Sequence, residues 1–324
     1  MKYIFVVNPV AGKGKLYREI TEKIESCREN TNQECFVYTT KSAGDATEYV
    51  KKIAKESGEE EIAFFACGGD GTICEVANGI MASENRDRLY LGTVPAGTGN
   101  DFVRNFTSYE NFSDISAQLS SHPIKIDLIG CNDFYSVNMV NIGFDCEVVC
   151  KKEELQNHKT FPPKLAYVAG LVITLIKKPG LKCKISVDGG EYEDKDLLLT
   201  TLGNGEYCGG GFHSNPESAV NNGKVNLLAV NNISRLKFVS IVGDYKKGTH
   251  LSYTDILSST LAKTVDFKFD KTTNISVDGE VVRVDSLNVR CVKNAINFLL
   301  PAGCEYKKSS ADTECDEIKA EANV

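Results

Sequence analysis

The sequence predicts an open parallel α/β sheet with helices on its faces, followed by a β-rich, mostly antiparallel second domain. Three observations carry this. Short apolar runs alternate with helical stretches through the first third. Each run ends in a turn rich in Gly, Asn, Pro or Thr. Beyond Asp127 the texture changes to extended, β-branched runs broken by Asp-Gly and Asn-Gly pairs. Alternation of strand and helix builds a parallel sheet with covered faces, and Asp-Gly or Asn-Gly between extended runs builds hairpins.

In order, 3–7 reads as a strand, 16–28 as a helix, 35–38 as a strand and 46–56 as a helix. A strand at 62–66, a helix at 73–81 and a strand at 90–94 follow. In the second part Asp188-Gly189, Asn222-Gly223 and Asp278-Gly279 read as hairpin connections, and a helix at about 164–177 interrupts the extended runs. An internal echo links Ile185-Ser186-Val187-Asp188-Gly189-Gly190 to Ile275-Ser276-Val277-Asp278-Gly279-Glu280; only the second copy carries a carboxylate after the turn. The polar, acidic stretch 307–324 is expected to be mobile.

Composition excludes several classes. A net charge of −7 argues against a protein that lives on nucleic-acid phosphates, so no nucleic-acid partner is expected. The 12 cysteines include no CxxC pair, which disfavours a structural zinc site and suits reduced thiols in a cytoplasm. The longest apolar run, 165–176, falls short of the roughly 18 residues a membrane span needs, so a soluble protein with at most peripheral membrane contact is expected. HExxH, GxSxG and GxGxxG are all absent.

Three turns carry chemistry, and in open α/β sheets ligands gather at such carboxyl ends of strands. The strand at 62–66 runs into Cys67-Gly68-Gly69-Asp70-Gly71-Thr72 and then a helix. Glycines admit a phosphate close to backbone amides, and the helix start adds partial positive charge. Thr72 can cap the helix or bind a phosphate oxygen. Asp70 repels an anion unless a cation or proton intervenes, which points to metal or water-network work. A tight turn with an Asx cap is the plain alternative. After the first strand, Asn8-Pro9-Val10-Ala11-Gly12-Lys13-Gly14-Lys15 also suits an anion but lacks Walker spacing. After the fourth, Pro95-Ala96-Gly97-Thr98-Gly99-Asn100-Asp101-Phe102 permits close backbone approach, as ordinary capping would too. Three such turns on one sheet edge together point to a nucleotide cleft more strongly than any one does.

NPVAGKG, GGDGT and PAGTGNDF, in this order and spacing, resemble the diacylglycerol kinase catalytic domain family, specifically its bacterial soluble lipid kinases. The likeness continues through GNGEYCGGGFHSNPESAVNNG at 203–223 and VDGE at 277–280, so it spans nearly the whole chain. GGDGT alone is shared with NAD kinases and, loosely, phosphofructokinases. The resemblance implies an NAD kinase-like or phosphofructokinase-like nucleotide-binding sheet over 1–128 and a β-sandwich that takes the lipid over 129–294. A strand at 295–306 returns to the first domain.

The resemblance also implies roles. ATP contacts fall on Asn8, Pro9, Ala11, Gly12, Lys13 and Gly14, on Thr40 ahead of Gly44-Asp45-Ala46, on Gly68, Gly69, Asp70, Gly71 and Thr72, and on Gly97 and Thr98. Asp70, Asp101 and Asp127 fall where the family keeps an acidic, water-mediated network near magnesium, and Glu280 falls at the general base. One departure stands out: Asn221-Asn222-Gly223 lies where the family commonly sets a second acid on a structural magnesium. Asn222 offers an oxygen without the charge that holds a hard cation.

The expected activity is therefore transfer of the terminal phosphate of ATP to a lipid hydroxyl at a membrane surface, with diacylglycerol, giving phosphatidic acid in phospholipid synthesis, as the first expected acceptor. Phe161-Pro162-Pro163 with the 165–176 helix offers an apolar wall for the acceptor, although a core helix reads the same way. Lys151-Lys152, Lys177-Lys178 and Lys246-Lys247 offer contacts to anionic headgroups, and an edge strand offers a way to pair two chains. Two rivals stay open: an NAD kinase-like enzyme, and a noncatalytic nucleotide- or lipid-binding regulator.

Overall fold

A computed structural model of the chain describes residues 1–30, 34–157, 173–174 and 180–307. The first apolar run is β1 (Lys2–Val7), with four consecutive buried residues, the pattern of a strand covered on both faces. It lies between β2 (Cys35–Thr39) and β3 (Ile62–Gly68), parallel to both, and β4 (Leu89–Pro95) adds parallel to β3. The crossovers are α1 (Lys15–Asn30), α2 (Asp45–Glu56) and α3 (Asp70–Met81). Helix α3 starts at Asp70, three residues before the expected Ile73, because extended Gly69 serves as its N-cap and a carboxylate is welcome in a first turn. Helices α2 and α3 pack closely at Gly79, where a Cβ would come within 2.7 Å of the Val50 Cβ.

The short α4 (Ile115–Leu119) leads into the second part: β5 (His122–Cys131), β6 (Phe134–Ser136), β7 (Met139–Gly143), α5 (Phe144–Asn157), β8 (Leu181–Val187), β9 (Glu193–Gly203) and β10 (Val225–Asn231). Helix α6 (Arg235–Lys247), β11 (Leu257–Ala262), β12 (Thr264–Val277) and β13 (Glu280–Leu300) complete it. Within this part the strand pairs are antiparallel. The predicted fold class, a parallel α/β domain joined to an antiparallel β-rich domain, is the observed one.

Two details differ from expectation. The strand placed at 295–306 is the end of one continuous 21-residue strand, β13, which stops at Leu300. It runs antiparallel to β12 and β5, then parallel to β4 through Asn297–Tyr90 and Phe298–Leu91, so one ladder joins both halves of the molecule. Asn222-Gly223 makes no hairpin; it closes the long 204–224 connection between β9 and β10. Asp278-Gly279 is the expected two-residue hairpin, with both residues left-handed (φ 47° and 93°), and Asp188-Gly189 turns the same way. The acceptor wall expected at 161–163 and 165–176 lies outside the described residues apart from 173–174, as does the tail after 307. Among the described residues no helix is long and apolar enough to cross a membrane.

Where β13 meets β4, Phe298 is fully buried among Phe102 (ring centroids 5.3 Å, edge-on), Phe106 (5.5 Å) and Phe112 (6.1 Å). Phe298→Ala removes the centre of that cluster. It should lower the unfolding free energy by about 3–5 kcal/mol in urea titration, and a loss under about 1 kcal/mol would deny the cluster its role in joining the two halves.

Candidate active site

The turns after β1, β3 and β4 share one edge of the parallel sheet, and close contacts bind them together. A Cβ on Gly97 would stand 2.5 Å from the Gly69 Cα, so the second and third turns touch backbone to backbone, which only glycine allows. The Asn8 side-chain Nδ2 donates to Thr72 Oγ1 (3.4 Å), which ties the first turn to the second, and Asn8 Oδ1 accepts from the Val10 backbone amide (3.1 Å). Thr72 is buried, its hydroxyl 2.2 Å from where a Gly68 Cβ would lie, so it acts as a strut between turns.

Around this seam the other expected nucleotide contacts take their places. Pro9 is half-buried, and Ala11 donates its amide to the Asn8 carbonyl (3.2 Å). Gly12 is left-handed, and Lys13 and Gly14 complete a tight helical turn into α1; the Lys13 side chain lies outside the described set. Thr40 follows β2, its amide 2.9 Å from the Val7 carbonyl, and Thr98 is exposed on the third turn. Sequence reasoning missed Glu75. Five residues after Asp70, its carboxylate accepts from the amides of Gly44 (2.9 Å) and Ala46 (3.2 Å) and so fixes α2 beside the cleft. Its position one helical turn beyond GGDGT was the available signal.

Asp70 and Asp101 come together. Asp70 Oδ1 accepts from the amides of Asp101 (2.8 Å) and Phe102 (3.2 Å), while its Oδ2 lies 3.1 Å from where a Gly99 Cβ would be, beside Asp101 Oδ2 at 3.0 Å from the same point. Burial pushes the Asp70 carboxyl up to about 7, and the Asp101 charge adds to the shift against the pull of those amides. Asp101 reaches across to the other half of the protein, accepting from the amides of Gly210 (2.8 Å) and Gly211 (2.7 Å), with Arg104 Nε 3.4 Å away. Burial raises its carboxyl too, and these amides and Arg104 oppose the shift.

Asp127 does not join them. It is fully buried and both its oxygens are taken, Oδ1 by the Asn294 amide (2.7 Å) and Oδ2 by the Gly223 amide (2.6 Å). It clamps the 204–224 connection to the bulge in β13. Beside it, Asn222 Oδ1 accepts from the Lys224 amide (2.9 Å), and the Lys293 stem packs against Gly223. A structural cation does not fit here: the one side-chain oxygen on offer is neutral and engaged, and a lysine stands alongside. Asp70 Oδ2 differs. A desolvated carboxylate oxygen, facing a second acid, fits a hard cation that would relieve the repulsion.

Glu280 opens β13 and is exposed, its Oε1 3.3 Å from where a Gly71 Cβ would sit, so the second domain sets a carboxylate against the GGDGT loop. Asp278, two residues before, aims it and was not anticipated. Asp278 accepts from the Ser136 hydroxyl (2.8 Å) and the amides of Val137 (2.7 Å), Asn138 (3.1 Å) and Met139 (2.8 Å). A cavity of about 900 Å³ opens beside these groups, lined among others by Gly44, Asp45, Gly71, Glu75, Tyr135 and Glu280.

Comparison with known proteins places both parts of the chain in a family. Residues 2–131 match the diacylglycerol kinase catalytic domain, and residues 138–300 match the YegS C-terminal NAD kinase beta sandwich-like domain. A Staphylococcus epidermidis protein named "Putative lipid kinase" is 27% identical over 267 residues, covering 80% of this chain and 84% of its own. A Staphylococcus aureus protein of the same name is 26% identical over 270 residues, covering 81% and 85%. The crystal structure of a Bacillus anthracis protein, titled a "putative diacylglycerol kinase", superposes with a TM-score of 0.72 at 23% identity, covering 93% of this chain and 97% of that one, and so shares the fold.

Two outcomes are expected. A carboxyl raised to about 7 keeps its proton in the folded state when the unfolded chain has lost it, so the folded state binds more protons and stability falls as pH rises from about 4 through 7. Asp70→Asn, which keeps the acceptor and removes the charge, should therefore melt at a higher Tm than wild type at pH 8 and nearly level with it at pH 4; a lower Tm at pH 8 would refute the strain. At the other centre, EDTA and excess Mg²⁺ should leave the Tm of the nucleotide-free protein unchanged, whereas Asp127→Ala should cost about 2–4 kcal/mol in urea unfolding. A chelator-induced drop in Tm would show a structural cation after all.

Proposed function

The chain belongs to the diacylglycerol kinase catalytic domain family and is a lipid kinase; from that premise we propose that it transfers the terminal phosphate of ATP to the hydroxyl of diacylglycerol, giving phosphatidic acid. The observation that carries this reading is the position of Glu280, held by the Asp278 turn with its carboxylate against Gly71, the residue after Asp70 in the GGDGT loop, and lining the cavity that Gly71 and Glu75 share.

Phosphoryl transfer needs positioning and charge stabilisation more than covalent chemistry. The nucleotide lies along the turns after β1, β3 and β4, with glycine amides at 68, 69 and 71 and the start of α3 turned toward its phosphates, while the Gly97 amide is held by Asn100 Oδ1 (2.9 Å) within its own turn. Glu280 accepts the proton of the acceptor hydroxyl as that oxygen bonds to the terminal phosphorus and the bond to the leaving ADP oxygen breaks. The magnesium ion proposed at Asp70 Oδ2, when bound, supplies charge neutralisation to the phosphate oxygens. Asp101 holds Asp70 at one end and the 210–211 amides at the other, so the two halves of the protein meet at the reacting group. The enzyme meets its acceptor at a membrane surface from the cytoplasmic side.

Glu280→Gln should lower turnover about 10²- to 10⁴-fold while leaving ATP affinity, measured by calorimetry, unchanged. Full activity in that variant would remove Glu280 from the reaction. Labelled ATP offered with diacylglycerol, phosphatidylglycerol, a sphingoid base and NAD in parallel should label diacylglycerol; label in NAD alone would favour the dinucleotide kinase reading, and label in nothing a binding protein.

A further inference from the structure

Helix α6 carries an apolar pair that faces solvent among the described residues. Leu236 is 85% exposed and Val239 51%, although Phe238, Ile241 and Tyr245 of the same helix are buried, Phe238 and Tyr245 in one cluster with α5, β9 and β10. Leu236, Val239 and Gly243 are spaced three and four residues apart and share one outward face. Lys237, Lys246 and Lys247 lie beside it, and none of them enters an ion pair among the described residues. Lys237 Nζ stands 5.3 Å from the Tyr253 ring centroid and Lys246 Nζ 5.7 Å from that of Phe212, which keeps two of the cations close to the protein surface. The single acid of the helix, Asp244, is committed to the Tyr253 hydroxyl (2.7 Å). A local cluster of cations around exposed Leu and Val, on a chain whose net charge is −7, has the chemistry of a surface that meets anionic headgroups above hydrocarbon.

The same helix adjoins the active site. The His213 amide donates to the Lys246 carbonyl (3.2 Å), Phe212 pairs with Cys208, and between them Gly210 and Gly211 donate to Asp101. We propose that α6 is a membrane-docking element: Leu236 and Val239 enter the headgroup boundary of an anionic bilayer, and Lys237, Lys246 and Lys247 meet its phosphates. This rests on the lipid-kinase reading, because a long-chain acceptor lies in a bilayer. Docking here sets the lipid surface beside the glycine loop that braces Asp101.

The test is sedimentation of the full chain, without ATP, with vesicles of phosphatidylglycerol or of phosphatidylcholine. It is run for wild type, for Leu236→Glu/Val239→Glu and for Lys237→Gln/Lys246→Gln/Lys247→Gln, with Tm and turnover on water-soluble dioctanoylglycerol measured alongside. Wild type should bind phosphatidylglycerol vesicles and leave phosphatidylcholine vesicles in the supernatant. Both variants should bind about tenfold or more weakly, with Tm and dioctanoylglycerol turnover unchanged. Absent or charge-independent binding by wild type, or undiminished binding by the Glu variant, overturns the proposal. So does a fall in its Tm, which would mean that the pair is covered within the chain, or a wild-type dimer that the Glu variant splits, which would make α6 a protein interface. If dioctanoylglycerol is not phosphorylated but vesicle binding behaves as stated, the docking role stands and the catalytic reading falls.

Discussion

One strand holds the machinery together. β13 starts at Glu280, leaves the second domain through its pairing with β12 and β5, and ends hydrogen-bonded to β4 of the nucleotide-side sheet. Because consecutive Cα atoms of an extended chain are fixed in spacing, the distance from Glu280 to the β4 turn cannot drift without breaking a ladder. The facing carboxylate is thus set by backbone hydrogen bonds, the least deformable interaction available, with Asp278 correcting its aim at the turn. Phe298 and the rings around it secure the far end. A loop-borne base would depend on side-chain packing alone.

Against this rigid frame the acidic pair is a deliberate weakness. Two carboxylates at Asp70 and Asp101 are desolvated side by side, and four backbone amides from two separate segments are spent on keeping them there. Burial of like charge destabilises a fold, and such conflict concentrates where a ligand resolves it. Asp127 makes the contrast. It is fully buried, yet each of its oxygens has its own amide, so it works as a rivet. Asp101, too, has an amide on each oxygen; what sets Asp70 apart is that both its amide bonds fall on Oδ1, leaving Oδ2 to face the second acid.

That distinction explains what could be read from the chain. The strand and helix alternation gave the parallel sheet, because burial on both faces leaves unbroken apolar runs such as Ile62 to Gly68. The glycines of the turns were legible because no other residue permits the contact between Gly69 and Gly97. The start of α3 was misplaced because a capping glycine has no side-chain signature. Asn222-Gly223 looked like a hairpin since the dipeptide reports local backbone preference, while the pairing that cancels it comes from Asp127, 96 positions away. The pinning role of Asp278 and the whole of Glu75 escaped for the same reason: most of their partners, the amides of 137–139 and of 44 and 46, carry no side-chain identity.

The two Asp-Gly turns show how a functional residue is grafted onto a structural device. At Asp188 the carboxylate accepts from the amides of Lys263 (2.7 Å) and Thr264 (2.9 Å), and at Asp278 from Ser136 and its following amides. Both aspartates sit at left-handed φ, 49° and 47°, followed by a glycine that also turns left. Each therefore pins a strand connection to a neighbouring segment by the same means, Asp188 through Oδ1 and Asp278 through both oxygens. The difference falls one residue later: Gly190 ends the first turn without a side chain, whereas Glu280 leaves the second with a carboxylate whose direction the pinned turn has already fixed. Precision in the facing group thus comes from a motif used elsewhere in the same domain for stability alone, and chemistry required only one further side chain.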